Sequence, residues 1–594
     1  MPVGRRRRPH AAAGRPGRLG ALVAVPALLL VGVTVLPGTA AQAASPTGPA
    51  LAVDAGADQH AISPDIYGLN FADPGLAAEL RLSVDRWGGN RATRYNYQNN
   101  TTNSGSDWYY LSHSEDQSAD DFVTKDRAVG AKTVMTVPII GRVTKPVGPN
   151  GEHQCSFSVA KYGPQQDAEG WHPDCGNGIR PDGSYLTGND PADTTDPEPP
   201  TFAGDFVRHL VDRYGDAAHG GVPIYQLDNE PALWQWTHRD IHPQRLGYDE
   251  LWTKTQAHAA AVKAADPTAA TLGPSDWGWC AYFFAPIDDP NDACATGPDR
   301  QAHGDVPLAE WYLAQARAYQ QQHGVRLLDY FDEHYHPQAN EVALNGAGDA
   351  ARQALRLRTT RSLWDPSYQD ESWIPDHVML IPRMRDWVTR NYPGTKLAIT
   401  EYNFGGLESI NGALTQADVL GIFAREGVDL ATLWDPPKAD QPGAYALRMY
   451  RNYDGYGGSF GDTWARATST DQGKVAVYAA TRRSDGALTT LVVNKTGDEL
   501  TSPLTIAGAD TTRPAQVWRY SAANPKSIVR DADTTLTGGA TQLTLPANSL
   551  TLLVLPPTPP SDATAPAAPT GLSATAGDGQ ATVTRTAPVT PSGK

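Results

Sequence analysis

Between Ile66 and Pro436 the chain carries eight short strand-like runs, each separated from the next by enough sequence for a helix or a long loop. They are Ile66–Phe71, Val84–Gly88, Thr133–Ile140, Ile224–Leu227, Thr271–Gly273, Leu328–Asp332, Lys396–Thr400 and Leu430–Leu433. Of the segments between them, Thr201–Tyr214, Tyr248–Ala265, Leu308–His323, Pro375–Asn391 and Thr415–Glu426 read as helices. Pro243 and Asp305 lie a few residues ahead of two of these periods, and Pro375 occupies the first turn of a third. Strands alternating with helices in this number predict an α/β fold, a parallel (β/α)8 TIM-like barrel over residues 66–437.

A barrel of this kind keeps its chemistry at the C-terminal ends of its strands. Two glutamates end two of the runs: Glu230 in Tyr225-Gln226-Leu227-Asp228-Asn229-Glu230-Pro231, and Glu401 in Leu397-Ala398-Ile399-Thr400-Glu401-Tyr402-Asn403. Either motif alone is as easily a structural ion-pair partner. Together they suit glycoside cleavage with retention, which needs two carboxyl groups about 5 to 5.5 Å apart, one to protonate the leaving oxygen and one to attack the anomeric carbon.

After Pro437 the spacing changes to alternating strands such as Val475–Tyr478, Leu488–Asn494, Ala515–Tyr520 and Leu550–Leu555, with Asp-Gly and Thr-Gly turns. These predict an antiparallel β-sandwich at 438–556, joined by the strand-like stretch Ala50–Ser63 within residues 44–65. Residues 557–569 read as a Pro/Thr linker. Residues 570–594 resemble the opening of a fibronectin type III module, far short of the ~100 residues such a sandwich needs.

Residues 1–43 hold six arginines and no acid, followed by an apolar stretch from Leu19 to Leu36 and then Ala41-Gln42-Ala43. This is the pattern of a secretory signal, and a membrane anchor is disfavoured by Pro26 and Gly32 within the run and Pro37 directly after it. Removing those arginines takes the formal net charge from −16 to −22, which makes nucleic acid and anionic membrane poor partners and leaves a neutral polymer open. The four cysteines suit a secreted chain, with Cys155–Cys175 and Cys280–Cys294 the simplest of three connectivities. No Cys-x-x-Cys spacing supports zinc.

Several strings resemble those of glycoside hydrolase family 44: Asp85-Arg86-Trp87-Gly88-Gly89-Asn90 followed by Tyr95-Asn96-Tyr97, Cys175-Gly176-Asn177-Gly178 leading to Gly188-Asn189-Asp190-Pro191, Asp228-Asn229-Glu230-Pro231 with Trp234, Glu333-His334-Tyr335-His336-Pro337, and Thr400-Glu401-Tyr402-Asn403. The resemblance spans roughly residues 50 to 557. It implies a secreted endo-β-1,4-glucanase or xyloglucanase, with Glu230 as general acid/base and Glu401 as nucleophile. A retaining xylanase or mannanase, or a silent carbohydrate-binding protein, are the competing readings.

Asn229, beside the acid, is expected to donate to the sugar 2-hydroxyl. His334 and Tyr335 are expected to hydrogen-bond Glu401 and hold it ionised. Trp434 and Trp87 are candidate platforms for the apolar faces of sugar rings, and Trp234 is a further candidate substrate contact. The loop Asn189–Asp196 concentrates oxygen ligands, and the resemblance implies a structural Ca2+ for which Asp190 and Asp193 are the candidate ligands, with no cofactor for the catalysis itself. The expected partner is a β-glucan polysaccharide, bound by a monomer.

Overall fold

The computed structural model describes residues 46–288, 294–339, 341–557, 570–577 and 580–586. The expected export signal and all but the first residue of the linker lie outside them.

Eight parallel strands close a barrel in chain order: Gly68–Asn70, Val84–Trp87, Lys132–Val137, Ile224–Leu227, Ala270–Trp277, Tyr330–His334, Lys396–Tyr402 and Leu430–Leu433. Each falls on or against one of the eight runs. The first is shorter than its run because Pro64–Tyr67 forms a 3-10 turn, started by Ser63, whose side chain accepts the Asp65 N–H.

Side chains alternate inward and outward along a strand, and the inward set changes character from bottom to top. Val84, Val134, Ile224, Leu272, Tyr330, Ala398 and Leu430, from seven different strands, form an apolar plug. Two residues further along the same strands, the inward positions are Arg86, Thr136, Gln226, Asp332, Thr400 and Thr432, all fully buried. The barrel is thus sealed below and polar above, which carries the site to the C-terminal ends.

The helices bury their apolar stripes on the outside of this cylinder. Pro200–Tyr214 presents Phe202, Phe206, Val207 and Leu210 at helical spacing, each worth about 1.5–3 kcal/mol when buried. Pro200 suits the first turn because its missing N–H would lack a partner there. The expected helix start at Pro375 is displaced: the helix runs Leu380–Asn391, because Met379 takes a left-handed backbone (φ 32°) that no continuous helix permits.

The C-terminal strands form a mostly antiparallel sandwich. Thr463–Ser469 pairs with Val475–Thr481 through its first residues and with the N-terminal strand Leu51–Asp54 through its last, so one strand passes between two layers. Leu51–Asp54 also lies parallel to Leu500–Ala507. One layer is buried on both faces: Val475, Val477, Val492 and Leu553 face the other layer, while Tyr478, Leu491, Val493 and Leu552 face the barrel. The helix Ile410–Glu426 lies between the two bodies and is buried from Asn411 to Ala424. Asp418 at its middle accepts from Thr360, Tyr478 and Lys495, pinning sandwich to barrel. Both expected disulfides are present. Thr570–Gly577 and Gln580–Thr586 pair as an antiparallel hairpin.

Candidate active site

Glu230 follows the fourth barrel strand in a turn where Asp228 (φ 67°) and Glu230 itself (φ 47°) both adopt the left-handed region. Each such non-glycine residue costs about 1–2 kcal/mol. The turn is held by its neighbours. Asp228 accepts from the backbone N–H of Ile139 and Ile140 at 2.7 and 3.0 Å, and the Glu230 N–H donates to Ser275 O at 3.0 Å. Glu401 extends from the seventh strand, and its carbonyl accepts the Tyr335 N–H at 2.9 Å. Side-chain oxygens of Glu230 and Glu401 lie within 4.8 Å of each other, together with a ring nitrogen of His334.

Arg86 organises the floor. Its Nε donates to Gln226 Oε1 at 2.6 Å, Nη1 to Asn70 Oδ1 at 2.9 Å and to Glu401 Oε2 at 3.0 Å, and Nη2 to Asn229 Oδ1 at 2.7 Å. The guanidinium is fully buried, and its approach requires Gly88, where a Cβ would sit 2.3 Å from Arg86 Cζ. Gly89 (φ 76°) similarly leaves room for the Trp434 ring, which a Cβ there would meet at 2.5 Å.

The two carboxyls are driven apart. Burial, and then the Glu401 charge, push Glu230 well above the usual carboxylate range. Burial also pushes Glu401 up, but His334, His336 and Arg86 outweigh it and bring Glu401 down to about 2. His336 Nε2 stands 3.4 Å from Glu401 Oε1. Burial drives His334 well below an ordinary histidine, so its ring is neutral near pH 7; of the groups that hold Glu401 down, Arg86 is one that carries a charge at that pH whatever the state of His334.

The tautomer of His334 follows from its neighbours. Thr400 Oγ1 donates to Asp332 Oδ2 at 2.6 Å, so it accepts from His334 Nε2 at 3.2 Å. That leaves Nδ1 as the acceptor for the Glu230 proton, 2.9 Å from Glu230 Oε1. In the free enzyme one acid is therefore held protonated and the other ionised. Among the described residues this trio also offers the donors for a metal ion, but Glu230 keeps its proton and Arg86 occupies Glu401.

Several expected site residues need correction. His334 bonds Glu230 and lies 3.7 Å from Glu401, beyond hydrogen-bond range. Tyr335 alternates to the opposite face, toward Asp370, Tyr368 and Ser362; the next residue on the His334 face is His336, which does reach Glu401. Trp87 is 1% exposed, packed among Phe71, Tyr95 and Phe122 with the Arg91 guanidinium over its ring, and offers no face to a sugar. Trp234 is 0% exposed and packs against His242, with the Lys254 ammonium over its ring. Trp434 stays half-buried at the mouth, its carbonyl accepting from Asn403 Nδ2 at 2.6 Å. Asn229 joins Arg86 and the Gly89 N–H through its oxygen and Asn90 through its nitrogen, keeping one amide hydrogen for a ligand.

Asp190 and Asp193 do not converge on a cation position. Both oxygens of Asp193 lie on the Lys161 ammonium at 2.5 and 2.7 Å, and Asp190 Oδ1 accepts the Ala192 N–H at 2.9 Å. A built-in ammonium neutralises the carboxylate, so the residues as arranged do not fit a calcium ion.

Arg86 and His336 were absent from the sequence-derived site, although strand period two offered both: Arg86 is two beyond Val84, and His336 two beyond His334. Beside Glu230 and Glu401 lies a recess lined in part by Trp277, Trp279, Tyr282, His334, Tyr335 and His336. Trp373 is half exposed, its indole N–H 3.4 Å from Gln338 Oε1.

The chain matches the family model of glycoside hydrolase family 44 over residues 101–339. It is 32% identical over 560 residues to endoglucanase A of Paenibacillus lautus, covering 89% of this chain and 76% of that protein. Among solved structures it superposes on CelM2, a bifunctional glucanase-xylanase from a metagenome library, with TM-score 0.83 and 42% identity over 86% of this chain and all of the other. It superposes on a Paenibacillus polymyxa xyloglucanase of family 44 with TM-score 0.71 and 31% identity, again over 86% of this chain and 100% of that one. A barrel whose strand ends bring two oppositely poised glutamates together, inside likeness of this extent, makes the chain a glycoside hydrolase that belongs to glycoside hydrolase family 44.

Proposed function

We propose that this protein is a secreted, retaining endo-β-1,4-glucanase that hydrolyses cellulose-like glucans and xyloglucan by double displacement. The observation that carries it is the Glu230–Glu401 pair, with side-chain oxygens within 4.8 Å and opposed protonation. That separation suits direct attack; an inverting pair needs about 6.5–9.5 Å to seat a water.

In the first step the ionised Glu401 forms a bond to the anomeric carbon while the bond to the leaving oxygen breaks, and Glu230 gives that oxygen its proton. Esterification removes the Glu401 charge, and with it one of the influences that keep Glu230 protonated. Glu230 can then take a proton from the incoming water, which cleaves the ester and restores both groups. The Asn229 oxygen accepts from Arg86 and Gly89, which supports its amide as donor to the sugar 2-hydroxyl, and the half-buried Trp434 supports a floor for an apolar ring face.

The P. lautus endoglucanase and the P. polymyxa xyloglucanase support glucan as substrate, and CelM2 supports xylan as a second one. Two disulfides and the basic-then-apolar segment at 1–43 support export. The protein is inferred to act as a monomer.

Reducing-sugar release from carboxymethyl cellulose, tamarind xyloglucan, xylan and mannan tests the assignment. Wild-type enzyme is expected to prefer the two glucans, and Glu401→Gln to lose several orders of magnitude in turnover while retaining polymer binding in affinity gels. No hydrolysis of any of the four by wild-type enzyme would refute it.

A further inference from the structure

Behind Glu230 lies a second pair of acids that the double displacement does not use. Asp276, near the end of the fifth strand, and Glu333, on the sixth, are register partners across adjacent parallel strands. Both are 1% exposed. Asp276 Oδ1 accepts the Ala232 N–H at 2.8 Å, and among the described residues Asp276 Oδ2 and Glu333 Oε2 have no hydrogen-bond partner.

The neighbours of this pair are known from each side. Tyr282, in the turn after the fifth strand, faces Glu333, Asp276 and Glu230. Tyr312, from the helix Leu308–His323, faces Asp276 and Glu333. Asp332 adds a further carboxyl against Glu333. Among the described residues no cation stands against either group. Two adjacent carboxyls without a counter-ion do not both ionise, so the pair shares at most one negative charge.

This pair touches the proposed acid through the backbone. The left-handed turn Glu230–Pro231–Ala232 is held by two hydrogen bonds from the end of the fifth strand: Glu230 N–H to Ser275 O at 3.0 Å and Ala232 N–H to Asp276 Oδ1 at 2.8 Å. One of these clamps is itself a titratable group.

We propose that Asp276 is a positioning residue for Glu230, clamping its strained turn through Ala232 and setting negative charge behind it. This rests on the acid/base role of Glu230 in the proposed double displacement. Burial holds Asp276 at about 7 and Glu333 well above the usual range, so of the two the charge develops on Asp276. Asp276 joins burial, Glu401 and Asp107 in pushing Glu230 up, against the Arg86 guanidinium. The Asp276 charge therefore delays loss of the Glu230 proton and extends activity toward alkaline pH.

The test compares pH profiles of kcat/KM on a soluble cello-oligosaccharide for wild type, Asp276→Asn and Glu333→Gln. Asp276→Asn keeps an oxygen for Ala232 but loses the charge, so its alkaline limb is expected to move acidward by about 0.5–1 pH unit. Glu333→Gln removes a group already neutral, so its limb is expected to stay in place. A uniform loss of activity in Asp276→Asn with an unmoved limb would reduce Asp276 to a structural hydrogen bond and overturn the proposal. So would an acidward shift in Glu333→Gln, which reads out even if Asp276→Asn does not fold. Should Glu230→Gln leave turnover intact, the acid/base assignment fails instead, and that result is separate from either limb.

Discussion

Arg86 Nη1 stands 3.0 Å from Glu401 Oε2, with the guanidinium fully buried and three further hydrogen bonds to Gln226, Asn70 and Asn229. The charge of the proposed nucleophile is thereby fixed before a substrate arrives.

Removing that cation has a predictable sign. Glu401 must be ionised to attack, and Arg86 is one of the groups holding its carboxyl down, so Arg86→Met raises it and moves the acid limb of kcat/KM to higher pH. The same substitution leaves Glu401 buried without its partner and is expected to lower stability by about 3–5 kcal/mol. Arg86→Lys keeps the charge but not the planar fork, and should keep the limb nearer wild type while losing turnover. pH profiles and urea titrations of both variants check this; a folded Arg86→Met with an unmoved acid limb would remove Arg86 from the mechanism.

Glu230 sets an opposite balance. Its folded-state carboxyl is raised above the ordinary value near 4.5, so the folded protein binds the extra proton. The sign then runs against stability on the alkaline side: relative to the unfolded chain, stability falls as pH rises from about 4.5 through the raised value. Glu230→Gln removes this loss. Its Tm is expected to exceed that of wild type at pH 7, with a gap that widens from pH 5 to 7, while activity is abolished. Melting curves across that range decide it, and a constant or reversed gap would show that Glu230 is not held protonated.

Much of the fold is legible in the chain, because short doubly buried strands and helical periods are local signals. All eight barrel strands, the bounds of Tyr248–Ala265 and Leu308–His323, and both cysteine pairs follow from residues near one another in sequence. What a motif does not carry is direction. Trp87 and Trp234 sit inside strings that resemble the family, yet face the helical layer, and Tyr335 points away from the Glu401 carboxylate. Strand parity was the available signal for Arg86 and His336. The left-handed backbone at Glu230 had none, since it is imposed by Ser275 and Asp276 from another strand.

Trp87 and Trp434, alike in sequence as candidate platforms, should respond differently to truncation. Trp87→Ala removes a buried ring packed on three others and is expected to cost about 3–5 kcal/mol, with KM for surviving folded enzyme near wild type. Trp434→Ala, at the mouth, is expected to raise KM for xyloglucan by roughly tenfold with little change in Tm. Paired kinetics and melts separate these; a large Tm loss for Trp434→Ala with unchanged KM would place it in the core instead.

The loop at Asp193 predicts insensitivity to chelation. With both Asp193 oxygens on Lys161, EDTA is expected to leave Tm unchanged, and Lys161→Met to lower it. A drop in Tm on EDTA treatment that is reversed by calcium would show that a metal ion, not the ammonium, secures the loop.

The closeness of Glu230 and Glu401 is tested most directly by the anomer first released from a soluble β-glucan oligosaccharide, followed by proton NMR before mutarotation. Direct displacement by Glu401 followed by water predicts the β-anomer first, with the α-anomer growing in later. Initial release of the α-anomer would mean that water attacks in a single step, and would contradict a covalent intermediate on Glu401.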